Sequence, residues 1–153
     1  MKIATALACA TLALATGASA QSGWSIYRIS ETGASVDIPN SIFTATDGKP
    51  DGYGQRFRSA DGSADLTVQS APNPSGDTPA AFLAKKRPPA NIIYKRITAN
   101  YFVVSSIKGD KIWYDRCNFP SGFVHCVLLN YPARDKRQWD GVVTRISHSL
   151  SGA

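Results

Sequence analysis

The segment CNFPSGFVHC, residues 117–126, holds two cysteines at its ends and a histidine against the second. Such a group could carry redox chemistry, contribute to a metal site or form a disulfide. Redox centres favour Cys-x-x-Cys at a helix start, and here eight residues intervene. Zinc takes four Cys or His ligands in a closed site. Outside the first twenty residues the chain offers only Cys117, Cys126, His125 and His148. Calcium fares no better, because Asp47, Asp51, Asp61 and Asp65 do not follow the spacing of a calcium loop with its closing glutamate. Nucleophilic catalysis needs a base beside the nucleophile, and His125 or His148 would have to supply it. Gly33-Ala34-Ser35 lacks the second glycine of a nucleophile elbow. Asp37 with Asp65, or with Asp115, is the remaining acid–base pairing. No metal or cofactor is expected. Two groups have the chemistry to bind anions: Arg56 with Arg58, and Arg116 with Asn118 and His125. Arginine suits carboxylate and phosphate alike.

The elements that position these groups are read from hydrophobic alternation and turn residues. Residues 24–29, 34–38, 42–46, 55–59 and 64–70 read as strands, with DGKPDGYG (47–54) as a loop and Asp61-Gly62 in a hairpin turn. Arg56 and Arg58 then share one strand face. Thr78 before Pro79 caps a short helix, and Lys85, Lys86 and Arg87 complement its C-terminal dipole before Pro88-Pro89. Four further strands, 92–98, 101–107, 112–119 and 123–131, are separated by turn-length gaps and form an antiparallel meander. A closing helix runs from about Ala133 to Leu150. Its apolar stripe is Trp139, Val142, Val143, Ile146 and Leu150, with Arg137, Thr144, Arg145 and His148 on a solvated face.

Centring the last turn on Ser121-Gly122 places Cys117 opposite Cys126 and Asn118 opposite His125. Alternation then puts Trp113, Cys117, Phe119, Val124, Cys126 and Leu128 on one face, and Ile112, Tyr114, Val127, Leu129 and Tyr131 on the other. A sheet apolar on both faces must be covered on both. The expected fold is α+β, a three-layer α/β/α sandwich around a mainly antiparallel sheet, with a β-sandwich or barrel bearing one helix as the alternative. The facing cysteines are positioned for a cross-strand disulfide.

The element order resembles the PsbP-like fold. GASVDIPNSIF comes first, then QRFRSADGSADLTVQS, a short helix, a meander and the closing YPARDKRQWDGVVTRISHSL. The closing segment is also similar to small exported proteins of Gram-negative bacteria. The resemblance spans most of the chain as a pattern of elements. It implies a sandwich domain serving as a binding or accessory module, and it carries over no site residue.

The chain opens MKIATALACATLALATGASA, which has the charged, apolar and small-residue regions of a secretory signal peptide ending at Ala20. The apolar run falls short of the roughly 20 residues of a spanning helix. Cys9 departs with it, leaving residues 21–153 as a single domain, periplasmic or secreted. The net charge of +6 biases the protein toward acidic partners. The leading expectation is a non-enzymatic binding or accessory module for a protein or an anionic envelope component, with no nucleic-acid motif. The alternatives are an enzyme acting on an envelope polymer through His125 or a carboxylate pair, and a carrier of a small apolar ligand, suggested by three Trp, six Tyr and six Phe.

Overall fold

The computed structural model describes residues 23–152. The expected signal peptide and Cys9 lie outside the described residues. Five strands come first: β1 (Trp24–Arg28), β2 (Ser35–Pro39), β3 (Phe43–Thr46), β4 (Tyr53–Ser59) and β5 (Asp65–Pro72). Helix α1 (Pro79–Lys86) precedes β6 (Asn91–Ile97), β7 (Tyr101–Lys108), β8 (Lys111–Asn118) and β9 (Phe123–Pro132). A 3₁₀ turn over 133–135 leads into α2 (Lys136–Ser149), so the closing helix begins slightly later than its pattern suggests. β1 and β2 form a separate hairpin, while the other strands make one seven-stranded antiparallel sheet in the order β3-β4-β5-β9-β8-β7-β6.

Strand β4 starts inside the stretch expected to be a loop. Gly54 explains this: its φ is +135°, and a Cβ there would run into the carbonyl oxygen of Val68. Only glycine lets the two backbones approach so closely.

The order of strands dictates where each helix goes. β5 lies beside the central strand β9 and β6 at the sheet edge, so the chain between them must cross one face, and α1 is that crossover. Thr78 Oγ1 accepts a hydrogen bond from the Ala81 amide at 3.3 Å, and Pro79 fills the first helical position. Leu83 is pressed onto a small core of Phe102, Val104, Cys117, Val124 and Cys126. Cys117 and Cys126 are disulfide-bonded, with Cα atoms 4.1 Å apart, in the register that the turn dictates.

The opposite face carries the larger core. Val143, Ile146 and Leu150 of α2 bury against Ile112, Val127, Leu129 and Tyr131, with Val36 and Ile38 of β2 beside them. Trp139 stacks on Tyr131 at 5.1 Å. The end of α2 is tied to the hairpin: Ser35 and Ser151 exchange backbone hydrogen bonds, and the Asp37 amide donates to Ser149 Oγ at 2.8 Å. Arg145, expected on a solvated face, is instead held by Asp37 at 2.9 Å and lies 4.2 Å over the Trp24 ring. The β1–β2 hairpin supplies both groups, and no helical periodicity could report a neighbour so distant in sequence. The result is an α+β sandwich of three layers: α1, the sheet, and α2 with the hairpin.

Neither helix can cover its whole face. Six strand spacings of about 4.8 Å make the sheet roughly 29 Å wide, whereas α1, with eight residues, is about 12 Å long at 1.5 Å per residue. Two uncovered areas follow, one on each face.

Candidate binding clefts on the two faces

The first uncovered area lies beside α2, over β6, β7 and β8, and forms a cleft of about 510 Å³. Cross-strand register builds its floor. Arg96, Val103 and Arg116 form one row, and Tyr94, Ser105 and Tyr114 the next. Both guanidiniums approach the Tyr101 ring, with Arg116 4.6 Å and Arg96 5.8 Å from its centre. These are cation–π distances. Among the described residues neither arginine makes an ion pair. Lys136, Asp140, Thr144 and His148 follow one another at one-turn spacing along the helix wall. Lys136 is neutralised by Asp140 at 2.8 Å. The half-buried Tyr114 hydroxyl donates to Ser147 Oγ at 2.6 Å. Burial raises the Tyr114 pKa and, with the Asp140 charge, pushes Tyr131 up to about 12. Both phenols therefore remain neutral donors across the physiological range.

Of the trio Arg116, Asn118 and His125, only Arg116 reaches this cleft. Its Nε donates to Asn118 Oδ1 at 3.1 Å, and Asn118 Nδ2 donates to the Leu150 carbonyl at 3.0 Å. Asn118 thus ties the arginine to the end of α2. His125 borders a shallow depression near Asn100 and Phe119, yet the residue is only 1% exposed. Nδ1 is 2.8 Å from Ser70 Oγ, and Gly152 seals the far side so closely that a Cβ there would stand 2.6 Å from the ring. Burial lowers its pKa, which keeps the imidazole neutral.

The second uncovered area lies beyond the end of α1, over β4, β5, β9 and β8, and is also a cleft of about 510 Å³. Arg56 lines it, while Arg58 pairs with Asp47 at its margin. At its centre Asp115 Oδ2 lies 3.2 Å from Lys86 Nζ, and Asp115 Oδ1 is buried without a hydrogen-bond partner. Burial raises the Asp115 pKa, and the Lys86 charge opposes that shift. Lys85, Lys86 and Arg87 looked like equivalent dipole partners. They divide here, with Lys85 binding Asp77 at 2.6 Å, Lys86 binding Asp115, and Arg87 facing the cleft. Among the described residues no group of three or more His, Cys, Asp or Glu side chains is placed to hold a metal ion.

No protein-family model and no curated protein matches the sequence. Among solved structures, the solution structure of cyanobacterial PsbP (CyanoP) from Synechocystis sp. PCC 6803 superposes with a TM-score of 0.64, covering 91% of this chain and 98% of that one at 13% identity. The fold is PsbP-like. At that identity the likeness carries the architecture and no site residue. The chemistry of both clefts in this PsbP-like domain therefore rests on its own side chains.

Residue patterns in the sequence did not single out Arg96, Tyr94 or Tyr101, and placed Trp113 only among the apolar residues of its face. Tyr94 and Arg96 do alternate along β6, which is the signal of a shared face. A register shift between Ile92 and Tyr94 hides which face that is.

Proposed function

We propose that this chain is an exported, non-enzymatic binding module that engages a protein or envelope component through phosphate or carboxylate groups. The observation that carries the reading is the pair Arg96 and Arg116, two guanidiniums at cation–π distance from Tyr101 in an open cleft without a carboxylate partner among the described residues. Contact with the ring restrains both side chains, and Asn118 further holds Arg116, so less conformational freedom is lost when an anion docks. Tyr94, Ser105 and Thr144 line the same cleft with further hydrogen-bonding groups. His125, the residue best suited to proton transfer, is sealed in the core, which favours recognition over catalysis at this face.

Titration with inorganic phosphate followed by NMR tests the site. Shifts are expected at Arg96, Tyr101 and Arg116, and Arg116→Gln should weaken binding at least fivefold while the fold persists. Unchanged affinity in that variant, or shifts confined to other surfaces, would overturn the reading. Export rests on the leader, and the disulfide is in keeping with it. It predicts that protein recovered from the periplasm or medium begins at Gln21, and a chain retaining residues 1–20 would count against it.

A further inference from the structure

The cleft beyond α1 differs chemically from the one beside α2. Its cations Arg56, Lys86 and Arg87 are matched by Asp47, Asp65 and Asp115. All three carboxylates are already engaged, Asp47 with Arg58, Asp65 with Asn130 at 2.7 Å and Asp115 through Oδ2 with Lys86 at 3.2 Å, which leaves Arg56 and Arg87 without an ion pair among the described residues. Such a balance disfavours a multiply charged phosphate and suits a ligand with one negative charge. Asp115 Oδ1 has no donor, and buried polar atoms are ordinarily hydrogen-bonded. The atom itself is buried, while the Asp115 side chain keeps 17% exposure at the cleft, so a small turn of the carboxylate would bring Oδ1 to an N–H or O–H arriving there. Trp113, 40% exposed, joins Val104, Leu128, Pro88 and Pro89 to give an apolar surface beside these polar groups.

A second observation stands apart from that charge pattern. Arg87 is the only non-glycine residue with positive φ among the described residues, at φ 51° and ψ 64°. Helix ends of this kind favour glycine, because a side chain is strained there. The strain turns the chain so that Pro88-Pro89 form one wall of the cleft, and it places a guanidinium at the rim.

We infer that this cleft binds the free carboxyl-terminal end of a peptide, with the carboxylate at Arg56 and Arg87, a backbone N–H donated to Asp115, and an apolar side chain on Trp113 and Leu128. The row Arg56–Thr67–Leu128–Asp115 crosses three strand spacings, about 14 Å between outer Cα atoms. Once the side chains reach inward, that span accommodates two or three extended residues at about 3.5 Å each. The site is independent of the arginine–tyrosine cleft, and either can fail alone.

The test is an NMR titration of the full domain with N-acetyl-alanyl-leucine, in free-acid and amidated forms. The acid is expected to shift the Trp113 indole and the Asp115 amide, with amidation weakening binding at least tenfold. Arg56→Gln and Asp115→Ala should each lose fivefold or more while keeping the native spectrum elsewhere. Arg87→Gly separates function from folding, because it should melt at the same or a higher temperature yet bind less tightly. Equal binding of acid and amide, wild-type affinity in Arg87→Gly, or inorganic phosphate binding here as strongly as the peptide would each overturn the proposal.

Discussion

The two clefts have the same volume and arise from the same geometric shortfall, but their charges are arranged by opposite rules. Beside α2, Arg96 and Arg116 rest on an aromatic ring and keep their charge turned outward. Beyond α1, Lys86 and Asp115 are paired in a desolvated position that leaves one carboxylate oxygen unmet. Charges resting on a ring lose little hydration and add a field that reaches into solvent. A buried pair loses hydration on both partners and is selective only for what completes it. The first arrangement attracts, and the second discriminates.

The largest perturbation separates the clefts through their helices. Ile146 is fully buried on the sheet-facing side of α2, and Ile146→Ala should cost about 3 kcal/mol in chemical denaturation. In the folded variant the α2 wall is loosened, so phosphate affinity should fall while peptide affinity is kept. The reverse pattern would break the assignment of walls to clefts. Next is the disulfide, which lies under α1. Replacing both Cys117 and Cys126 by alanine should cost about 2–3 kcal/mol by the chain-entropy account of a short closed loop, and should weaken the α1 side alone. Equal weakening of both sites would mean that the sheet itself had shifted.

The smallest effect is a pH dependence that leaves both clefts intact. The folded chain holds His125 with a lowered pKa, so the unfolded chain takes up the proton first as pH falls below about 6.5. Stability from this residue is complete above that value and declines on acidification toward the folded pKa, with a limiting slope of about 1.4 kcal/mol per pH unit. Denaturation at pH 7.5 and 5.5 should show the loss, and His125→Gln should flatten it. A steep dependence that survives in the variant would place the titrating group elsewhere.

Much of the architecture was legible because it is local. Alternation, turn residues and the Thr78-Pro79 start define elements from near neighbours, and the last hairpin's register follows from its turn alone. Arg116, Asn118 and His125 could be placed on one face by that register. What Asn118 and His125 do there could not be read, because Leu150, Ser70 and Gly152 meet them only after the chain has folded back. The same limit concealed Asp115 with Lys86. The two are brought together by α1 crossing the sheet, and a helix dipole was a sufficient local account of the lysine.

The strand order has a further consequence, for folding. Strands β3–β5 form one run of hairpins and β6–β9 another, and each can zip from its own turns with short loops to close. They meet only where β5 pairs with β9, from Asp65 against Asn130 to Pro72 against Phe123. Closing that pairing spans much of the chain and so carries the large entropic cost that slows sheet formation. The amides along this seam, in the middle of the finished sheet, are expected to exchange with solvent only when the whole domain opens.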